Sequence, residues 1–437
     1  MRQLLGRNPI GLSDNGDYGR VLTSIGLLRP PGFPANGFLT LRFTYGDMPG
    51  GGYGSSLNPL LRLVTWVPRA FGAESFDIRW LAGVYAVLLG LLVWFVVRAL
   101  PGRPVQVIGG ILLVVITTDT AFVSYFGSFF SEPGSMLALL FVVGVLLRLR
   151  GRPAASPVLV AALVSSGLLL ATVKTQNVVL GPLLAVGVLA LRPRRLALPA
   201  AVLLLVVPLV YAGSQPSGLR QVNLYNAVFY TLLPRGDDPA GDLRALGMDP
   251  ALARLSGTQA FQDNRRLQQP SFAAFARDGG QAKLVRFYAS RPSRAVGLAV
   301  RGSRGAALAR PLNLGNRARL VGTKPKEVAC EQCLYSVPSR WLRPVAPILL
   351  PALYLGALVL AFARRRRASW LTDTLRFLTL GGMAEFAVAL LGEGDYELAK
   401  HLFLFDVMTA FLVVFAVLAL LERGVRQRRP APSLQEV

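Results

Sequence analysis

Residues 79–98 read RWLAGVYAVLLGLLVWFVVR, eighteen uncharged residues between two arginines. A helix needs about 20 apolar residues, at about 1.5 Å each, to cross a hydrocarbon layer of about 30 Å. Eight further stretches share this character: 105–123, 134–149, 157–173, 177–191, 196–213, 344–363, 372–391 and 402–421. Composition agrees. Of 437 residues, 53% are hydrophobic and only 16% charged, and the mean hydropathy is +0.47. An ordinary soluble domain carries about 25% charged residues. Disorder, coiled coil and collagen are excluded, and two cysteines cannot form a disulfide scaffold. The fold class read here is an all-α integral membrane bundle of about nine spans with extracytoplasmic loops.

The net charge of +24 resembles that of a nucleic-acid protein, but its placement does not. Five basic residues are Lys and 42 are Arg, many of them directly after an apolar stretch. Arg98 and Arg103 follow the first stretch, and Arg148, Arg150 and Arg152 the third. Arg192, Arg194 and Arg195 follow the fifth, Arg364 to Arg367 the seventh, and Arg423, Arg426, Arg428 and Arg429 the ninth. Every second connection is therefore Arg-rich, which places those connections in the cytoplasm. No groove tracking a nucleic-acid backbone is implied, and the bilayer is the partner expected.

The chain then divides as follows. Residues 1–76 form a first extracytoplasmic loop, 77–213 six spans, 214–343 a large extracytoplasmic loop, 344–421 three spans, and 422–437 a cytoplasmic tail. Met1 to Ile10 is too short for a signal peptide or a span, so a preceding apolar helix is expected upstream. In the first loop, Leu57 to Phe71 has apolar residues at helical spacing and reads as a helix on the bilayer surface or a plain loop helix. Leu219 to Leu233 has the same look, residues 240–290 look helical, and no strand alternation is convincing in 214–343. Cys330 and Cys333 lack the second pair or nearby His of a metal site, so an oxidised local loop is expected.

Ionisable side chains near a membrane are costly and are usually paired or functional. Asp119, Glu132, Lys174, Glu385, Lys400, His401 and Asp406 all fall toward the outer side, which suggests one outward-facing polar cavity. The densest cluster is GEGDYELAKH at 392–401, with Glu393, Asp395, Glu397, Lys400 and the only histidine, His401. A second, DNGDYGR at 14–20, has Asp14 and Asp17 three apart, so one helical turn could aim both at one point. Asp14 reads equally well as a helix cap.

With these motifs the sequence resembles the GT-C glycosyltransferases, multi-spanning enzymes that use polyprenyl-phosphate sugars on the outer face. Their first outer loop carries an acidic motif, often D-E-x-x-Y. Asp14-Asn15-Gly16-Asp17-Tyr18 fits it with Asn15 in the second acidic place and Asp17 available to compensate. Together with YFGSFFSEPGSML at 125–137, VKTQN at 173–177 and GDYELAKHLFLFD at 394–406, it is most similar to the WsfD-type hexose transferases of glycan biosynthesis.

The resemblance implies inverting transfer of a hexose from a polyprenyl-phosphate donor to an envelope glycan or glycolipid acceptor in the cell membrane. Asp14 is the expected base, with Asp17 second. Lys400, His401, Lys174 and Arg20 are the expected phosphate clamp. Glu132, Glu393, Asp395 and Gln176 are expected to bind substrate or, for the acids, a divalent cation; metal dependence stays open. Two other classes fit the same residues: a transporter or flippase of a lipid-linked glycan, and a non-catalytic glycan-assembly protein. A transporter should show internal repeats, and none is visible.

Overall fold

The computed structural model describes residues 2–30, 37–46, 52–149, 155–320, 322–362 and 372–427. Arg150 and Arg152, Arg364 to Arg367, and Arg428 and Arg429 lie outside them, as do the side chains of Arg423 and Arg426. Helix covers each of the nine apolar stretches. Among the described residues, five helices are long and apolar enough to cross a membrane: Ile78–Val97, Glu132–Leu149, Arg194–Ser214, Thr372–Glu393 and Phe403–Leu421. A sixth candidate is the pair Arg103–Thr117 and Thr120–Gly127, bent by 52° at its break. Pro157–Thr172, Thr175–Val188 and Ala346–Phe362 are apolar but shorter.

Which helices lie inside follows from their neighbours. Glu132–Leu149 is apolar on all sides and is mostly buried, packed between Ile78–Val97 and Pro157–Thr172. A helix apolar all round belongs inside a bundle or in lipid. Ile78–Val97 turns one face outward, with Trp80 and Trp94 both more than half exposed. An outward apolar face with large aromatic side chains is what a lipid-facing helix presents.

The first loop corrects an all-helical reading. It holds an antiparallel three-stranded sheet of β1 (Leu27–Leu28), β2 (Arg42–Tyr45) and β3 (Ser75–Asp77). Leu27 pairs with Tyr45, and Phe43 with Phe76. The strands are too short to show alternation, which is why the pattern hid them. Phe43 and Tyr18 both pack edge-on against Phe129, at 4.9 and 5.5 Å between ring centres, which ties this sheet to the membrane bundle. Asn58–Ala70 is the expected amphipathic helix, with Leu61 and Val64 inside and Leu63 and Trp66 outside.

In the second loop the 240–290 region is helical, as expected. Leu219 to Leu233 differs from a surface helix. It forms Ser217–Tyr225 and then a π-helical stretch, Asn226–Leu232, with Tyr225 stacked on Phe229 at 4.4 Å in the loop's own core. Single bridges Ile10↔Arg317 and Leu39↔Ala318 join the two loops. Cys330 and Cys333 are disulfide-bonded.

Candidate functional site

Four helix ends and one turn of the first loop meet around a cavity of about 340 Å³. Glu132 opens one apolar helix, and Lys174 follows the end of Pro157–Thr172. Glu393 ends Thr372–Glu393, while Lys400 and His401 immediately precede Phe403–Gln427. All four ends lie opposite the Arg-rich connections in the chain's alternation. The turn from the first loop supplies Asn15, Asp17 and Arg20.

Lys400 is the hub. Its Nζ lies 2.6 Å from Asp17 and 2.5 Å from Glu397, and it sits over the Phe130 ring at 5.6 Å. The side chain is only 6% exposed, so its charge is stable only because two carboxylates flank it. Burial opposes the ammonium, but Asp17 and Glu397 together hold its pKa well above the usual Lys range. Burial likewise opposes the Asp17 carboxylate, yet Lys400 and then Arg20, at 3.3 Å, keep its pKa well below the ordinary value. Asn15 donates to both oxygens of Glu397, at 2.9 and 2.8 Å, and so fixes that carboxylate from the far side.

Two further pairs line the cavity. Lys174 meets Glu132 at 3.0 Å; burial works against its charge, and Glu132 and then Glu393 raise its pKa over that penalty. His401 Nε2 is paired with Glu393, and Asn223 donates to the other oxygen of Glu393 at 2.8 Å. Cations that pair with acids on a cavity wall are groups that can instead hold an incoming anion.

The turn that carries Lys400 is held from outside. Asp395 accepts from Arg301 at 3.0 Å and Thr231 at 2.8 Å, and pairs with Arg235 at 2.8 Å. Gly394 has φ +73°, and an added Cβ would lie 2.0 Å from Thr231 Oγ1, so only glycine fits. Glu397 also takes a left-handed φ of 46°, unusual for a side-chain-bearing residue. Such strain persists only where the surroundings enforce it.

Several expected site residues lie elsewhere. Asp14 is not on the cavity wall. Its Oδ1 accepts the N–H groups of Gly16 and Tyr18, at 2.7 and 3.1 Å, and its Oδ2 takes Arg29 Nε at 2.9 Å. Burial raises its pKa more than Arg29 lowers it. That direction suits a base, but a side chain 1% exposed and held on both oxygens has no reach. Asp395 is a clasp, not a lining residue. Gln176 lies behind the wall, donating to Glu385 at 3.0 Å and to the His401 carbonyl at 2.7 Å. Asp119 and Asp406 do not join the cavity either. Asp119 caps Thr120–Val123 and accepts from Tyr335 and Ser336, and Asp406 is buried with Oδ2 unpartnered among the described residues.

The described residues hold no group of three or more His, Cys, Asp or Glu placed to share a metal ion. Sequence reasoning missed Asn15 and Asn223 as carboxylate ligands, and Tyr53 and Tyr396 as wall residues. Asn15 and Tyr396 sat in motifs that drew notice, at 14–20 and 392–401, while Tyr53 and Asn223 did not.

The whole chain matches the sequence model of the YfdI N-terminal transmembrane domain over residues 4–436. The chain belongs to that family. Neither the curated proteins nor the solved structures give a match. The YfdI family is associated with GT-C-like membrane glycosyltransferases, which agrees with the general resemblance in the motifs. It makes this a multi-pass membrane protein, with a cavity lined by charged side chains at one end of its apolar helices.

Proposed function

We propose that the protein is an inverting hexosyltransferase of the GT-C type, close to the WsfD-type enzymes. It would take sugar from a polyprenyl-phosphate donor and act on an envelope glycan or glycolipid at the extracytoplasmic face. The bundle then has nine spans, with both large loops outside. The observation that carries this reading is the Asp17–Lys400–Glu397 cluster, a carboxylate and a buried cation in contact at the end of the apolar helices. A transferase needs an acid to take a proton and a cation to receive a leaving phosphate, within one small chamber.

In this reading the base is Asp17, in place of Asp14. The acceptor hydroxyl oxygen attacks C1 of the sugar and gives its proton to Asp17. The C1–O bond to phosphate breaks with its electron pair, leaving polyprenyl phosphate. Lys400, Lys174, His401 and Arg20 stabilise the phosphate charge, and Glu132 and Glu393 orient the sugar. Asp17 is a weak base while Lys400 is bound to it. Arrival of the donor phosphate gives Lys400 a stronger partner, which frees the carboxylate to accept a proton.

The bent pair Arg103–Thr117 and Thr120–Gly127 is the one feature that favours a transporter, since broken helices mark transport sites. Its break is filled by Asp119 bonding backbone N–H groups, away from the cavity. The test is reconstitution of the full chain with a polyprenyl-phosphate hexose labelled in the sugar. Label transferred to acceptor supports the reading. Donor crossing the bilayer without transfer overturns it in favour of a flippase.

A further inference from the structure

The Ser217–Tyr225 helix has a cavity on each side. One is the chamber around Lys400. The other, about 510 Å³, lies between this helix, the turn joining Pro270–Arg277 to Gly280–Ala289, and Gly392. Asn223 is on both walls. It bonds Glu393, the partner of His401, so one side chain is common to both spaces.

The second cavity is chemically one-sided. Arg220 and Arg277 line it, and no carboxylate does; Asp278, next in sequence to Arg277, is off the wall. Among the described residues neither guanidinium has a hydrogen bond or an ion pair. Elsewhere in the outer loops Arg235, Arg294 and Arg301 are each matched to an acid. The other polar wall groups, Ser217, Gln221 and Gln281, are neutral and suit sugar hydroxyls. The cavity's depth is set by its walls. Ser217–Tyr225 begins just after Arg194–Ser214 ends, and Gly392 is one residue from the end of Thr372–Glu393. Two apolar helices finish here, where a membrane-spanning bundle would meet lipid headgroups.

We infer that this cavity binds the phosphate or diphosphate of a membrane-anchored glycan, the acceptor of the proposed transfer. Two guanidinium forks match phosphate oxygens, and the neutral side chains beside them meet the attached sugars. A glycan anchored there needs only to pass Asn223 to bring a hydroxyl to Asp17. The inference rests on the transferase reading for the word acceptor; the phosphate site itself does not.

The experiment uses the full chain in phosphatidylcholine nanodiscs, titrated calorimetrically with farnesyl diphosphate. Two saturable binding events are expected, one at each cavity. In the double variant Arg220→Gln/Arg277→Gln, one event should weaken by about tenfold or more for each guanidinium removed. Both arginines are exposed, so the melting temperature should hold. An isotherm that superimposes on wild type overturns the site. Phosphatidylglycerol nanodiscs separate the sources. If the arginine-dependent event survives there, the occupant is the prenyl-linked phosphate. If phosphatidylglycerol abolishes it in wild type, the occupant is ordinary phospholipid and the acceptor assignment falls. Binding is read without turnover. Donor crossing the bilayer without transfer would sink the transferase reading alone, whereas an unchanged isotherm removes this site alone.

Discussion

Two carboxylates three residues apart, Asp14 and Asp17, compete for one role, and their contacts predict opposite behaviour when each becomes Asn. Asp17→Asn keeps the side chain's shape and removes its basicity. A positioned base contributes about 10²–10⁴-fold, so transfer should fall by that factor. The fold should survive. Breaking a buried pair costs about 3–5 kcal/mol when it strands a charge, but Lys400 keeps Glu397 at 2.5 Å. The loss is that of the charged contacts to Lys400 and Arg20, about 1.5–3 kcal/mol, since the amide oxygen still accepts from Lys400. For Asp14→Asn the amide oxygen can still accept from Gly16 and Tyr18, but its NH₂ then meets Arg29 Nε, donor against donor. Losing that charged bond costs about 1.5–3 kcal/mol, and transfer per folded molecule should stay within a few-fold. The assay is labelled-hexose transfer by each variant in vesicles, normalised to folded protein, with thermal unfolding alongside. Near-normal transfer by Asp17→Asn, with transfer abolished by an equally stable Asp14→Asn, would refute the assignment.

Three other outcomes follow from the same contacts. Asp395→Asn should weaken the clasp on Arg235 and Arg301, cutting transfer several-fold and stability by about 1–3 kcal/mol, with Arg301→Gln milder; unfolding curves and transfer kinetics check both. The Asp17 carboxylate, with its lowered pKa, stabilises the fold above its unfolded value near 3.9 and loses that contribution as pH falls through its folded value. Lys400, with its raised pKa, stabilises below about 10.4 and loses its contribution as pH rises through its folded value. A melting-temperature plateau between about pH 5 and 9 is therefore expected, and Lys400→Gln should remove the alkaline fall; a wild-type profile in that variant would contradict the cluster. Ala251→Cys is exposed in the second loop, and the native cysteines are bonded to each other; in intact cells an impermeant thiol reagent should label it, and labelling only after lysis would reverse the topology.

The apolar helices were legible because membrane insertion is decided by local composition. Any window such as 79–98 carries its own answer, and Ile78–Val97 lies within a residue of it. The charged cluster at 392–401 was legible for the complementary reason, since charges beside lipid must be accounted for. What composition cannot give is direction. Asp14 and Asp17 lie on one turn by spacing alone, yet Tyr18 fixes how that turn sits. Its buried ring packs on Phe129 and its hydroxyl donates to the Leu12 carbonyl at 2.8 Å, so the first acid turns inward toward Arg29 and the second faces Lys400. The partners of these choices are far off in sequence: Arg29 is 15 residues from Asp14, and Lys400 is 383 from Asp17. Asp395 was misread for the same reason, because it looks like its neighbours Glu393 and Glu397 until Arg235 and Arg301 arrive from the outer loop. An acid's role in this protein is set by which cation reaches it first. That is why the groups nearest the chemistry are those whose cation, Lys400, also faces open space that a phosphate can fill.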